Sequence, residues 1–181
     1  MRVSVLGRGA VLALGVWLVL VAAMAPAWAG PAPVAAPGQA RGPVTNLPLP
    51  RFVSLKASKA NVRRGPSLSH RIDWVFTARG MPLEVTGEYG NWRRVRDRDG
   101  VGGWVHYSLL SGVRTVIVER DLTALYQRRD ENSPVNAYLE AGVIARIDRC
   151  DPVWCRLRAD GQKGWTRHDG LWGVKPGEEV D

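Results

Sequence analysis

Two stretches of this chain carry the same landmarks in the same order, and that internal repetition constrains the fold more than any other feature. Ala78-Arg79-Gly80 leads to Trp92, twelve residues beyond Gly80, and Glu140-Ala141-Gly142 leads to Trp154 at the same distance. Downstream, Asp99-Gly100 leads to Gly103-Trp104, and Asp160-Gly161 leads to Gly164-Trp165. Asn61 to Ser67 and Ala124 to Asp130 correspond more loosely. Each unit has roughly 60 residues of short apolar stretches separated by Gly, Asp and Asn. That is too little for a large two-sheet sandwich, and such strands close best as a small, strongly bent barrel. The expected fold class is therefore all-β, with two small barrels in tandem.

Asp-Gly between apolar stretches is a hairpin signal, because Gly takes positive φ at little cost and Asp tolerates it. Val95 to Val105 and Leu157 to Thr166 thus read as hairpins. Leu83 to Val85 and Val143 to Ile147 supply the preceding strands, each opened by a turn at Gly80 or Gly142. Strand alternation puts Trp92, Arg94 and Arg96 on one face and Arg93 and Val95 on the other. In the second unit Trp154, Arg156 and Arg158 share a face opposite Cys155 and Leu157. Trp104 and Trp165, straight after Gly in a hairpin strand, are expected in the cores. Trp74 and Phe76 are expected in a long loop of the first unit.

The segment upstream of the repeats is an address followed by a spacer. Arg2 and Arg8 precede the apolar run Ala10 to Ala25, shorter than the roughly 18 residues of a membrane span, and Ala27-Trp28-Ala29 offers a cleavage site. The expectation is a signal peptide over 1–29, with export to the periplasm or outside the cell. Loss of Arg2 and Arg8 lowers the formal charge from +8 to +6. Outside the cytoplasm such a charge meets cell-wall carboxylates and lipid phosphates, so nucleic acid falls down the list of partners, and no membrane span is expected in the mature protein. Residues 30–50 hold six of the twelve prolines and a single charge, Arg41, which predicts a disordered, extended Pro-rich linker.

Three motifs of the first unit resemble the bacterial SH3-like (SH3b) family: Asn61-Val62-Arg63-Arg64-Gly65-Pro66-Ser67, Gly87 to Arg96, and Gly103-Trp104-Val105-His106-Tyr107-Ser108-Leu109-Leu110. The second unit is similar, more divergently, through Leu125-Tyr126, Trp154-Cys155-Arg156-Leu157 and Asp160 to Trp165. The resemblance implies two SH3-like barrels, over 51–113 and 114–175, with 176–181 as a C-terminal tail. It also implies binding, either to cell-wall glycan or peptide, or to protein partners in the envelope. The joint at Ser111 to Thr115 has no Pro/Gly-rich spacer, and units this small bury little surface, so the copies are expected to lean on each other.

The candidate ligand-binding residues are Arg63, Arg64, Trp74, Tyr89, Trp92, Arg94, Tyr107, Trp154 and Arg156. An outward Trp among arginines suits a ligand with apolar sugar or peptide faces and carboxylates, since Trp stacks and Arg pairs with anions in bidentate fashion. The alternative is that each Trp lies over its barrel as a lid among solvated arginines. Cys150 and Cys155 are expected to form a disulfide across a tight loop in an oxidising compartment, with a redox role as the alternative. They align with Glu88 and Arg93, so the first unit is expected to hold a cross-strand ion pair there. Counting faces from Val143, Ala145 and Ile147 puts Cys150 outward while Leu157 puts Cys155 inward, so a bulge or an irregular turn is expected between them.

Catalysis finds little support. His70, His106 and His168 have no carboxylate or Cys at a meaningful spacing, and neither Gly-x-Ser-x-Gly nor His-Glu-x-x-His occurs. Two Cys and three His without zinc-motif spacing offer no metal site. No enzyme, cofactor or metal is expected. Peptidoglycan or another anionic envelope polymer is the preferred partner, and an adaptor that docks an envelope protein is the alternative.

Overall fold

The computed structural model describes residues 40–181; the expected leader and residues 30–39 of the expected linker lie outside the described residues. The first unit contains β1 (Arg51–Leu55), β2 (Ala60–Arg63), β3 (Ile72–Phe76), β4 (Pro82–Tyr89), β5 (Trp92–Arg96), β6 (Gly102–His106) and β7 (Leu110–Ser111), with one 3-10 turn at Tyr107–Leu109. The second contains β8 (Thr115–Val118), β9 (Thr123–Tyr126), β10 (Val135–Leu139), β11 (Ile144–Cys150), β12 (Trp154–Ala159), β13 (Gln162–Arg167) and β14 (Leu171–Trp172). Each makes one antiparallel seven-stranded sheet, ordered β3-β2-β6-β5-β4-β1-β7 and β10-β9-β13-β12-β11-β8-β14. Strand for strand the two orders are the same, so the sequence repeat is a repeat of topology.

Each sheet curls around its own apolar cluster. Val62, Leu83, Val85, Val95 and Val105 are buried in barrel one, and Leu125, Ala145, Ile147 and Leu157 in barrel two. The alternation in β5 and β12 is as expected, with Val95 and Leu157 inward and Arg94, Arg96 and Arg158 exposed. The Asp-Gly hairpins also form. Asp160 (φ 46°) and Gly161 (φ 79°) make a two-residue turn with the positive φ that this connection requires. Barrel one has a longer turn, in which the Asp97 carboxylate accepts from the N–H groups of Asp99 and Val101.

The expected irregularity is a bulge in β11, where the pairing with β12 shifts between Ile147 and Arg149; this brings Cys150 opposite Cys155 with both side chains buried. The two are disulfide-bonded. An equivalent shift between Val85 and Gly87 of β4 brings Glu88 opposite Arg93.

Trp104 and Trp165 depart from expectation. They are half-buried on the outer faces, because Val105 and Thr166 take the inward positions of β6 and β13. The core role in the repeated Gly-Trp pair belongs to the glycine. A Cβ on Gly103 would lie 2.6 Å from the Arg63 carbonyl oxygen, and one on Gly164 would lie 2.8 Å from the Leu125 carbonyl carbon, so neighbouring strands approach too closely for a side chain. Trp74 and Phe76 belong to strand β3 rather than to a loop; Phe76 enters the core, while Trp74 is 51% exposed.

Both ends of the repeat region are more ordered than composition suggested. Over 40–50 the chain doubles back instead of running extended: Arg41 bridges Pro48, and the Gly42 N–H donates to the Leu47 carbonyl at 2.9 Å. The C-terminal residues are not a free tail either, since Cys150 and Val180 exchange both backbone hydrogen bonds. Arg114 holds Glu178 through both guanidinium nitrogens, at 2.8 and 3.1 Å, and also donates to the Gly173 carbonyl. Composition reads the prolines and scarce charge of 30–50 but not the partners that the barrels offer: Glu88 accepts from the Val44 and Thr45 N–H groups, and Arg114 donates to Glu178.

The barrels touch. Thr115 Oγ1 of β8 donates to the Gly80 carbonyl at 2.6 Å, and Lys175 Nζ donates to the Pro50 carbonyl at 2.5 Å. The Phe52 and Trp172 rings meet edge to face at 5.2 Å.

Candidate functional site

The hairpin β5–β6 positions the candidate site. Register pairs Trp92 with His106, Arg94 with Trp104, and Arg63 of β2 with Trp104. Because Arg93, Val95 and Val105 point inward, Trp92, Arg94, Arg96, Trp104 and His106 share the outer face. Two of the clefts that open on it are lined by charged side chains.

The first cleft, about 470 Å³, has Trp92 and His106 as its aromatic wall, Lys59 and Arg63 as cations, and Leu68 and Leu109 as apolar edges. The Trp92 and His106 rings meet edge to face at 5.5 Å, while His106 Nδ1 lies 2.8 Å from Ser108 Oγ, so the imidazole is held from both sides. Arg63 Nη1 donates to the carbonyls of Leu68 and His70, at 2.9 and 2.7 Å, so it braces the loop that borders the cleft. Backbone carbonyls leave its charge uncompensated. An aromatic face beside two cations can take a ligand that is apolar on one side and anionic on the other.

The second cleft, about 680 Å³, is lined by Arg64, Asp73, Thr86, Arg94, Arg96 and Trp104. Asp73 accepts from Arg71 at 2.7 Å and from Arg64 at 3.1 Å, and these bonds hold its carboxyl below the usual carboxylate range. Arg96 is bound to Glu84 at 2.6 Å.

The remaining candidates lie elsewhere. Tyr89 is 65% exposed at the end of β4, and Trp74 stands on the edge strand β3. Tyr107 faces a separate apolar groove of about 350 Å³ with Phe52, Val53, Val85 and Leu110, where the Arg93 guanidinium lies 5.9 Å from its ring centroid. Nine candidates thus resolve into pairs and singles: Arg63 with Trp92, Arg64 with Arg94, and Trp154 with Arg156 on barrel two. Lys59 and His106 escaped sequence reasoning. His106 was legible, since alternation from the inward Val105 places it on the face of Trp104.

Barrel two fills the same places differently. Tyr126 stands where barrel one has Arg63, and Arg167 where it has His106. The Tyr126 ring meets Trp154 at 6.1 Å and the Arg167 guanidinium lies 5.9 Å from it, so the protein's own side chains pack against this tryptophan. Arg129 lies 4.3 Å over the Trp165 ring and is fixed there by Asp151 at 2.8 Å. Burial would raise the Asp151 pKa, but bonds from the Val153 and Trp154 N–H groups, together with Arg129, lower it.

Glu88 is the most heavily bonded acid next to the site. Its side chain is wholly buried and accepts from Thr45 Oγ1 (2.6 Å), the Thr45 and Val44 N–H groups (2.9 and 3.1 Å) and Arg51 (2.7 Å), with Arg93 Nε at 3.5 Å. Burial alone would push its pKa up; the hydrogen bonds from Thr45, Arg51 and Val44 outweigh it and bring the value down from 4.5 to about 2. In barrel two, His168 has a ring nitrogen within 4.8 Å of both cysteine sulfurs. Those sulfurs are bonded to each other and lack the thiolate charge that a metal ligand needs.

No curated protein sequence is detectably similar to the chain. Among solved structures it is distantly similar to NlpC2 from Trichomonas vaginalis, with 14% identity and a TM-score of 0.32 over 68% of this chain and 48% of that one. NlpC1 from the same organism gives 15% identity and a TM-score of 0.32, over 67% of this chain and 45% of that one. The chain thus spans less than half the length of either structure. Family assignment comes from sequence: residues 56–112 and 119–173 each match the bacterial SH3 domain, which places the chain in that family with two tandem copies.

Proposed function

We infer that the chain is an exported, non-enzymatic binding module of the bacterial envelope, and that peptidoglycan is its ligand. The observation that carries this reading is the first cleft, where Trp92 and His106 form an aromatic wall beside Lys59 and Arg63. Membership of the bacterial SH3 family supports a binding role. A positive formal charge, +8 for the whole chain and still positive once Arg2 and Arg8 are removed, favours an anionic polymer, and the wall supplies one outside the cytoplasm. Barrel two, whose Trp154 is packed by Tyr126 and Arg167, serves as support. Among the described residues no helix is long and apolar enough to cross a membrane.

The test is co-sedimentation of the purified protein with isolated sacculi at graded salt. Retention that fades as salt screens the cations, and that Trp92→Ala abolishes, supports the reading. Absence of retention at low salt overturns it. The groove lined by Phe52, Val53, Val85, Tyr107 and Leu110 favours a second reading, an adaptor for an envelope protein, which predicts stoichiometric capture of one protein in place of sacculus binding. Turnover of muropeptides by the purified chain would overturn the non-enzymatic part.

A further inference from the structure

The second cleft is lined by the expected Arg64 and Arg94, but its floor is Trp104, a residue whose sequence context points to the core. The structure turns that ring outward between Arg63 of β2 and Arg94 of β5, its register neighbours on either side. Trp92 and Trp104 are diagonal neighbours across the β5–β6 pair, which places them roughly 7–8 Å apart at the backbone. Both clefts therefore open on one continuous face, with aromatic and cationic side chains alternating along it: His106 and Trp92 in one row, Arg63, Trp104 and Arg94 in the next, Arg96 beyond.

The charges of the second cleft do not cancel. Arg64 and Arg71 share Asp73, and Arg96 is held by Glu84, which leaves two carboxylates against four arginines. Among the described residues the Arg94 guanidinium has no hydrogen-bond or ion-pair partner, and Arg94 is exposed beside Trp104. An aromatic floor with a free guanidinium at its edge is complementary to a sugar ring bearing a carboxylate: the ring's C–H face lies on the indole and the carboxylate takes the guanidinium in bidentate fashion. A neutral sugar would leave Arg94 unused, and a lone small anion would leave Trp104 uncovered.

We propose that Trp104 and Arg94 form a second subsite, which takes a carboxylate-bearing sugar of a linear glycan whose neighbouring unit occupies the Trp92 cleft. This rests on the wall-binding reading only for the source of the glycan. The chemistry of the subsite stands separately.

The purified protein is titrated by calorimetry with tetragalacturonate, a linear chain of acidic sugars, and with chitotetraose, a neutral one. The expected result is a preference of about tenfold for the acidic tetramer over chitotetraose, which Arg94→Gln removes. Trp104→Ala is expected to weaken both tetramers. Should Trp104→Ala melt early, the exposed Arg94→Gln alone decides. Equal affinity of the unaltered protein for the two tetramers, failure to bind the acidic one, or a preference that survives Arg94→Gln overturns the subsite. Sacculus retention without an acidic preference sinks the subsite and leaves the wall reading standing. An Arg94-dependent preference without sacculus retention does the reverse.

Discussion

Glu88 and Arg93 occupy in barrel one the register positions that Cys150 and Cys155 occupy in barrel two, a buried ion pair where the second copy has a covalent bond. Each pair closes the same hairpin just after the same bulge. Only the ion pair does more, because Glu88 also anchors the turn at Val44 and Thr45. Glu88→Ala would leave Arg93 and Arg51 without their acid and should cost about 3 kcal/mol in urea unfolding. Hydrogen exchange at the Val44 and Thr45 amides should accelerate with it; unchanged protection there would show that the turn is held by something else.

Acid should act on this same group. The folded-state pKa of Glu88 is depressed to about 2 from 4.5, so its contribution is complete above the unfolded value and is lost as pH falls from there through about 2. Thermal melts between pH 6 and 2 should show a drop in that window, and Glu88→Gln should flatten it. A drop of equal size in the Gln variant would assign the acid sensitivity to other carboxylates.

Reduction should single out barrel two. Opening the Cys150–Cys155 loop costs about 2 kcal/mol by chain entropy, the small figure reflecting how short the loop is. Melts with and without reductant, followed at the Trp154 indole resonance, should show that loss. An unchanged midpoint would mean that packing alone holds the hairpin.

The twofold repeat, the all-β class, the outward face of β5 and the disulfide were all legible, because each follows from spacing or alternation that local backbone geometry enforces. An irregularity was legible too, as a conflict of parity between Cys150 and Leu157, though not whether it was a bulge or an irregular turn; the shift between Ile147 and Arg149 makes it a bulge. What sequence could not show was which member of each Gly-Trp pair the barrel needs inside. A preference of Trp for burial argued for the indole, but a strand approach that admits no Cβ at Gly103 or Gly164 decided for the glycine. The roles of Glu88 and Arg114 depend on partners more than 30 residues away, which no local pattern records.

The tryptophans of the two copies should behave differently. Trp92→Ala should abolish sacculus retention, whereas Trp154→Ala should leave retention within about twofold while lowering stability by about 1 kcal/mol through loss of its Tyr126 contact. Loss of retention in both variants would make barrel two a binder in its own right.

Between the barrels, Thr115→Val removes the hydroxyl that donates to the Gly80 carbonyl and should cost about 1 kcal/mol in urea unfolding. If the barrels depend on each other, the transition should also lose sharpness and separate into two steps. A single transition with an unchanged midpoint would show that this contact does not couple them.

Arg114 sits in the three residues between β7 and β8, and its guanidinium is engaged by Glu178 and by the Gly173 carbonyl. A hinge needs a backbone that can swivel, and this one is clamped by the far end of its own polypeptide. The joint between the two cylinders is therefore tied to the closing residues of the second one, at Glu178 and Gly173.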